Sequence, residues 1–507
     1  MEYQTRTTWK NHLGNERIDP LRIYRPASIA DVQAIVRLAR ESKVNVRAVG
    51  SGHSWSDVAL TEGFLLRPDG MTRVPAPEPD FVRPEWTADG RRLVRAEGGT
   101  RIKELNAWLD ANGMALSNMG GYDHQTVAGV TSTSTHGSGI EFGPLNDALR
   151  SLDVVVGDGS VQRIEPTDGP TDRAAFEAHH GDARTLVQDD HVFDAVCVGM
   201  GCMGVICTAM IEVRERFYMR EVRELHPWAK VKADLQDGAV HRSSEHYELA
   251  FSPYDDGYAY PCLVTTRDPV SDPRHRPWSI RMRNPLVELA AKIPFTPHVI
   301  NVLLDIRPSL APRFLLAALR ALVKKRYDHV SYKVFNIGRA NVLPAYSCEI
   351  GVPMVDGLHI EAVETILRIA RERRDLGRVY QSSPIALRFV KASPAHLSMM
   401  NGCDTMMIEL IGLNGNDGGI ELLKAYEEAL YALGGRPHWG HINTLSGSGG
   451  FVESMYPRYR DWMDVRARLD PDGVFDSPFT KRVGLSSERF AGSGWVTGRL
   501  SARRRLS

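Results

Sequence analysis

Val46-Arg-Ala-Val-Gly-Ser-Gly-His-Ser-Trp-Ser-Asp57 is the stretch that decides how this chain is read. A strand over Lys43–Val49 feeds it, with Val44, Val46 and Ala48 alternating with Asn45 and Arg47. Gly50 and Gly52 then permit dihedrals that side chains oppose. Successive backbone N–H groups in such a turn make a concave anion site, and Ser51 and Ser54 add hydroxyl donors. A diphosphate fits there without a Walker-type lysine. His53 lies inside the loop, either facing the ligand or serving as an ordinary solvent-facing or structural histidine.

Outward from this loop, short units of helix, strand and glycine turn repeat. Ser28 caps a helix whose apolar stripe is Val32, Ile35, Val36 and Ala39, with Asp31 as an acidic variant of a capping box. Leu93–Glu97 reads as a strand that leads through Gly98-Gly-Thr100 into a helix near Ile102. Gly120–Gly139 holds seven Ser or Thr and five Gly, yet Val127, Ala128 and Val130 interrupt it with apolar contacts. Such a segment wraps backbone and hydroxyls against a polar ligand. Ser151–Val156 and Ser160–Ile164 flank Gly157-Asp-Gly159, a hairpin signal, and Val205–Val213 is a further strand. This alternation predicts an α/β or α+β domain. The texture changes near Phe217: Pro- and Arg-rich loops at 268–277, helices around Leu286–Lys292 and Leu310–Lys325 (ended by Lys324-Lys-Arg326), then strands at Ser347–Gly351, Ile385–Val390 and Met406–Gly412. Near Gly434 glycine- and aromatic-rich loops return, followed by a helix over Tyr456–Leu469.

Composition excludes several classes. The 507 residues carry no net charge, with 43% hydrophobic and 24% charged, which gives no reason to expect nucleic acid or an anionic membrane as a partner. The apolar runs Ala195–Ile211 and Phe314–Val323 are respectively broken by glycines and too short for a bilayer span of about 20 residues. Met1–Lys10 is polar and lacks an export signal, and six cysteines make no disulfide framework, so a cytoplasmic protein is expected. Cys197, Cys202 and Cys207 form no C-x-x-C pair; buried inert thiols and no metal are expected. Gly199-Met-Gly-Cys-Met-Gly204 fits G-x-G-x-x-G, but the strand-like Val205–Val213 follows it, so no helix N-terminus is present to meet a nicotinamide dinucleotide.

Four segments occur in order: Arg25-Pro-Ala-Ser-Ile-Ala-Asp31 with the His53 loop; Gln125-Thr-Val-Ala-Gly129 through Thr135-His-Gly-Ser-Gly139; Gly201-Cys-Met-Gly-Val-Ile206; and Arg436-Pro-His-Trp-Gly440, with Asp470-Pro-Asp-Gly-Val-Phe475 downstream. Together they resemble the vanillyl-alcohol-oxidase (PCMH-type) family of FAD-linked oxidases, and within it the sugar-lactone and alditol oxidase branch. The resemblance covers nearly the whole chain. It implies an α+β architecture: a two-part FAD-binding domain, residues 1–216 completed by 436–483, an α+β substrate (cap) domain with an antiparallel sheet over 217–435, and a tail at 484–507. It implies FAD held by Arg47, Val49, Gly50, Ser51, Gly52, His53, Ser54 and Asp57, by Gly121, Thr126, Gly129, Ser132, Thr133, Thr135, His136 and Gly137, and by Gly204, Val205 and Ile206. The histidine at the place of His53 is bonded to the flavin 8α-methyl in such enzymes. Gly120–Gly139 lacks the cysteine of doubly attached families, so a single bond is expected.

On the catalytic side the branch has an acid two residues before an arginine, where this chain has Ala386-Leu-Arg388, and a lysine after His-Trp-Gly, where this chain has His441. Both changes remove a charge suited to polyol hydroxyls, so a less polyol-like substrate is expected. His441 and His438 are candidates for taking the hydroxyl proton, Arg388 for steadying a developing alkoxide, and Glu349 sits in a strand resembling a substrate-facing segment. Each also has a plain structural reading. The expected activity is oxidation of a CH–OH group of a small alcohol substrate, with dioxygen giving hydrogen peroxide. A dehydrogenase using a quinone or haem protein, and a flavin-binding protein without turnover, remain open.

Overall fold

The computed structural model describes residues 2–77, 81–282, 302–337, 345–377, 379–413 and 418–487. The helix expected around Leu286–Lys292 and most of the 484–507 tail lie outside the described residues.

Three sheets carry the fold. A four-stranded sheet runs Tyr3–Gln4, Arg22–Tyr24, Phe64–Leu66, Val46–Ala48, the last three mutually parallel. The helix Ile29–Glu41 covers it: Ser28 accepts the Asp31 N–H at 3.2 Å, Asp31 accepts the Ala27 N–H at 3.0 Å, and Val32, Ile35, Val36 and Ala39 are buried.

The second sheet is ordered Arg184–Gln188, Val161–Glu165, Leu149–Val155, Val205–Glu215, Arg92–Glu97, with Met114–Ala115 pairing Val205–Glu215. The hairpin at 157–159 forms as read, closed by Val156 N–H to the Ser160 carbonyl at 3.1 Å. Inside this sheet Asp153 meets Arg95 at 3.1 Å and Arg163 at 2.8 Å; burial alone would raise its carboxyl, but the two guanidinium groups hold it well below the usual range.

The third sheet is antiparallel throughout and has eight strands: Lys324–Val330, Tyr218–Pro227, Pro261–Val270, His246–Phe251, Ile385–Val390, Thr405–Leu413, Ala345–Pro353, Arg436–Pro437. It packs under the helices Leu358–Gly377 and Gly419–Tyr431, whose apolar faces (Val363, Ile366, Ala370; Leu422, Tyr426, Leu430) share a core with Ile350, Leu387 and Ile408. Lys324-Lys-Arg326 corrects the sequence reading. The helix stops at Leu322 and these cations open a strand, because Arg326 pairs with the buried Asp328 at 2.8 Å.

The first two sheets and the third are joined along Gly120–Gly139: Gly139 N–H donates to the Phe389 carbonyl at 2.7 Å. The chain's end ties them again. Arg436–Pro437 adds an edge strand to the eight-stranded sheet, and the helix Tyr459–Leu469 then packs on Asp190–Cys197, with Trp462 Nε1 donating to the Val198 carbonyl at 3.1 Å. No described helix is long and apolar enough to cross a membrane.

Candidate active site

A cleft lies between these units. Three backbone turns make its wall. The first is Gly50–Trp55. The strand that feeds it carries Arg47, whose buried guanidinium donates to the carbonyls of Val58 (2.8 Å), Gly201 (3.0 Å) and Phe475 (3.2 Å), so this turn springs from a braced strand. The turn is also held by His12 N–H on the Gly52 carbonyl at 2.7 Å and by Trp55 N–H on the Gly440 carbonyl at 2.7 Å. The second wall is Thr126–Thr135, where the Thr126 hydroxyl accepts the Gly129 N–H at 3.3 Å and caps the helix Val127–Ser132. The third is Gly201–Ile206. Gly204 has φ +146°, and a Cβ there would meet Val154 Cγ1 at 2.5 Å and the Val155 carbonyl at 2.6 Å; only glycine lets this turn lie against the strand.

The cleft is lined by Val49, Gly50, Ser51, Gly52, His53, Ser54, Thr126, Gly129, Ser132, Thr133, Thr135, Gly204, Val205 and Ile206, all singled out from the sequence. Ala48, Trp55, Val58, Gly98, Gln125, Ala128, Met200, Gly201 and Gly440 also line it without having been named as contacts, although several lie in the motif segments read from the sequence. Five residues expected to contact the cofactor are not among those lining the cleft. Arg47 is spent on the three carbonyls just named. Asp57 pairs with Arg482 at 2.6 Å, Gly121 packs on Ile337, and Gly137 packs on Asn118. His136 lies away from the turns, beside Glu349.

The lining fits a bound dinucleotide. Glycines 50, 52, 129, 201 and 204 bare the backbone, and Ser51, Ser54, Ser132, Thr133 and Thr135 offer hydroxyls. His53 marks one side: its ring lies between His12 (centroids 4.3 Å apart) and Tyr122 (4.8 Å). Burial, then the nearby His12, His124 and Arg101, push it down to about 3, so the imidazole is neutral at any ordinary pH.

His438 and His441 also line the cleft, and behind them stands a charged cluster. Glu349 is the hub. Its Oε1 is 3.2 Å from His136 Nε2 and 3.6 Å from Arg388 Nη1, and its Oε2 is 3.4 Å from His441 Nε2. Burial would raise this carboxyl, but His136, His441 and His438 together hold it well below the usual range. His136 Nδ1 donates to the Gly137 carbonyl at 2.9 Å, and its Nε2 faces Glu349. His438 Nδ1 accepts the Gly440 N–H at 3.0 Å, which leaves its proton on Nε2. His441 Nδ1 is 2.9 Å from the Ser347 hydroxyl, and its ring packs 4.7 Å from Trp55. Burial lowers both His438 and His441. Arg388 Nη1 lies 3.1 Å from Glu409 Oε2, and its Nε lies 3.7 Å from Glu248 Oε1. Burial alone would lower this guanidinium, yet the three surrounding carboxylates raise it. Donor atoms of Glu349, His438 and His441 fall within 4.8 Å of one another, a spacing a metal ion accepts, but Arg388 already supplies positive charge to that carboxylate.

The comparisons agree with this geometry. The FAD binding domain family matches residues 20–165, and the D-arabinono-1,4-lactone oxidase family matches residues 209–483. The chain is 28% identical over 480 residues to L-gulono-1,4-lactone dehydrogenase of Mycobacterium tuberculosis, covering 94% of this chain and 98% of that one. It is 25% identical over 470 residues to L-gulonolactone oxidase of Mus musculus, covering 92% and 95%. A solved structure of a solvent-stable cholesterol oxidase superposes with a TM-score of 0.74 over 95% of this chain and 98% of that one, at 14% identity, which shows the fold alone. That fold is the α+β, PCMH-type FAD-binding architecture with its antiparallel cap sheet. A lactone-oxidase match spanning more than half of the 507 residues, set behind an FAD-binding match that contains the His53 turn, means that the chain belongs to the D-arabinono-1,4-lactone oxidase family and is an FAD-linked oxidoreductase.

Proposed function

We propose that this enzyme oxidises a CH–OH group of a small sugar lactone, polyol or related alcohol, carries its FAD covalently on His53, and passes the electrons to dioxygen to give hydrogen peroxide. The observation that carries this reading is the shared cleft, in which a neutral His53 and the His438–His441 pair line one cavity. Residues 1–216 and 436–483 would form the FAD-binding part and 217–435 the cover over its reactive side.

The bound flavin supplies the acceptor for the hydride that leaves the carbinol carbon. The protein supplies the rest. His441 is the residue suited to take the hydroxyl proton, at Nδ1 in place of the Ser347 hydroxyl: burial keeps the ring neutral with its own proton on Nε2, and Glu349, 3.4 Å from that Nε2, stabilises the imidazolium that results. His438, with its proton on Nε2, acts as a donor that orients the substrate oxygen or a flavin carbonyl. Trp55 and Gly440 line this corner, with Trp55 packed on the His441 ring. All six cysteines are free, which favours a reducing compartment such as the cytoplasm.

A second reading is kept by one finding, the name of the M. tuberculosis relative, which is a dehydrogenase. Peroxide yield under air separates the two. For the covalent bond, the purified protein is denatured in acid and filtered. Colour retained with the protein, and released by His53→Ala, supports the histidyl linkage; colour passing the filter in the unsubstituted enzyme refutes it.

A further inference from the structure

Trp9–Lys10 and Arg17–Ile18 pair as a hairpin of two residues a side, too short to hold itself in water. The His53 turn and the strand feeding it are what it folds onto. Trp9 sinks into an apolar cluster with Val49, Leu60 and Leu65. The hairpin loop then lies along the backbone of the turn. His12 N–H donates to the Gly52 carbonyl at 2.7 Å, Asn11 Nδ2 to the Ser54 carbonyl at 2.9 Å, and Asn15 Nδ2 to the Trp55 carbonyl at 2.8 Å. The loop is itself braced: Asn11 Nδ2 also reaches Asn15 Oδ1 at 2.7 Å, and Asn11 Oδ1 accepts the Glu16 N–H at 3.2 Å. The residues on both sides of His53 are therefore fixed by one hairpin.

A fixed backbone leaves the His53 side chain two torsions, and two rings close on it. The His12 ring packs at 4.3 Å and 46°, and the Tyr122 ring meets it edge-on at 4.8 Å and 69°. Behind Tyr122 the His124 ring stacks at 5.0 Å, and the His124 carbonyl accepts the Ser51 hydroxyl at 2.6 Å, so the second ring is tied to the same turn. Both contacts on His53 are ring packing. Among the described residues no hydrogen bond engages either of its ring nitrogens.

Building on the flavin attachment proposed at His53, we infer that the hairpin is a clip for that attachment, with His12 and Tyr122 as positioning residues that hold the His53 ring in one orientation for bond formation. Attachment joins an imidazole nitrogen to the flavin 8α-carbon. A C–H bond of that carbon and the N–H bond of the ring break as the C–N bond forms. The two protons and two electrons set free reduce the flavin itself, and dioxygen then takes them up as hydrogen peroxide. The ring must be neutral, with a lone pair to give, and His53 is kept neutral by burial first and then by His12, His124 and Arg101. It must also be still, because a bond between two groups held together forms much faster when neither has to be oriented first. The clip meets the second need by packing, and the nitrogen of His12 takes no part.

The test uses the full chain, produced under riboflavin limitation and then given FAD. Two quantities are read: total bound flavin, and the fraction that stays with the protein after acid denaturation. In His12→Ala and Tyr122→Ala total flavin should match the unsubstituted protein, while the rate at which it becomes acid-stable falls by about 10-fold or more. His12→Phe and Tyr122→Phe keep a ring at each place and should attach flavin at nearly the original rate. Unchanged attachment in both alanine variants overturns the clip and leaves the His53 bond standing. Attachment as slow in His12→Phe as in His12→Ala overturns the packing role, since the nitrogen would then be what matters. Loss of total flavin together with attachment in both alanine variants makes the two rings folding elements only, which also overturns the clip. Flavin that never becomes acid-stable in the unsubstituted protein overturns the attachment at His53 and the clip with it.

Discussion

Gly50→Ala tests whether the two main turns of the cleft are packed against each other as described. A Cβ at position 50 would lie 2.1 Å from Thr126 Oγ1, 3.0 Å from Cγ2 and 3.1 Å from Cβ. Ordinary contact begins at about 3.5 Å, so the hydroxyl must move by roughly 1.4 Å. It cannot do so and still accept the Gly129 N–H, so the substitution also uncaps the helix Val127–Ser132. Overpacking of this kind costs about 1–3 kcal/mol, of which a lost cap accounts for about 1. Backbone strain does not enter, because Gly50 has no left-handed φ. The sharper form is a double-mutant cycle with Thr126→Ala, which removes Oγ1 and Cγ2 and leaves only the 3.1 Å approach to Cβ. Gly50→Ala alone should lower both flavin content (flavin to protein absorbance after purification) and thermal midpoint. Thr126→Ala should cost only the cap. The double variant should sit close to Thr126→Ala, a coupling of about 1–2 kcal/mol. Additive losses would refute the reasoning, since they would mean that the two turns do not meet.

Two more predictions concern protons. His441→Phe should cut the rate of anaerobic flavin reduction by about 10²–10⁴-fold while flavin content stays unchanged; because burial lowers His441, the acid limb of the unsubstituted enzyme should lie below pH 6.5, and a limb above it would point to another base. Asp147 is pushed up to about 7, first by burial and further by Asp194, against the Ser393 hydroxyl 2.6 Å away and the Arg150 and Lys391 charges. A carboxyl whose folded value lies above its unfolded one supports the fold when protonated, and that support fades as pH rises from about 4 through about 7. Asp147→Asn should therefore gain stability relative to the parent by about 2 kcal/mol between pH 5 and pH 8; a difference that does not change with pH would contradict the raised value.

How far the sequence could be read depended on whether local chemistry or strand partnership decides the matter. The His53 turn, the Ser28 cap, the 157–159 hairpin and the strand Ile385–Val390 were legible because glycine spacing, a capping hydroxyl or strict alternation writes them locally. Tyr218–Pro227, His246–Phe251 and Pro261–Val270 were not. Their charged residues look like those of solvated loops, yet Glu221, Glu248 and Arg267 are satisfied by one another across the sheet. Lys324-Lys-Arg326 misled for the same reason, its partner Asp328 being buried in the strand it begins. The site repeats the lesson. His438 and His441 were found by their chemistry, but Glu409, 23 positions from Ala386 in sequence and directly opposite it in register, carries no linear signal. Relocating a carboxylate by one strand moves it only about 5 Å, so a pocket can keep its charge while a linear motif loses its letter.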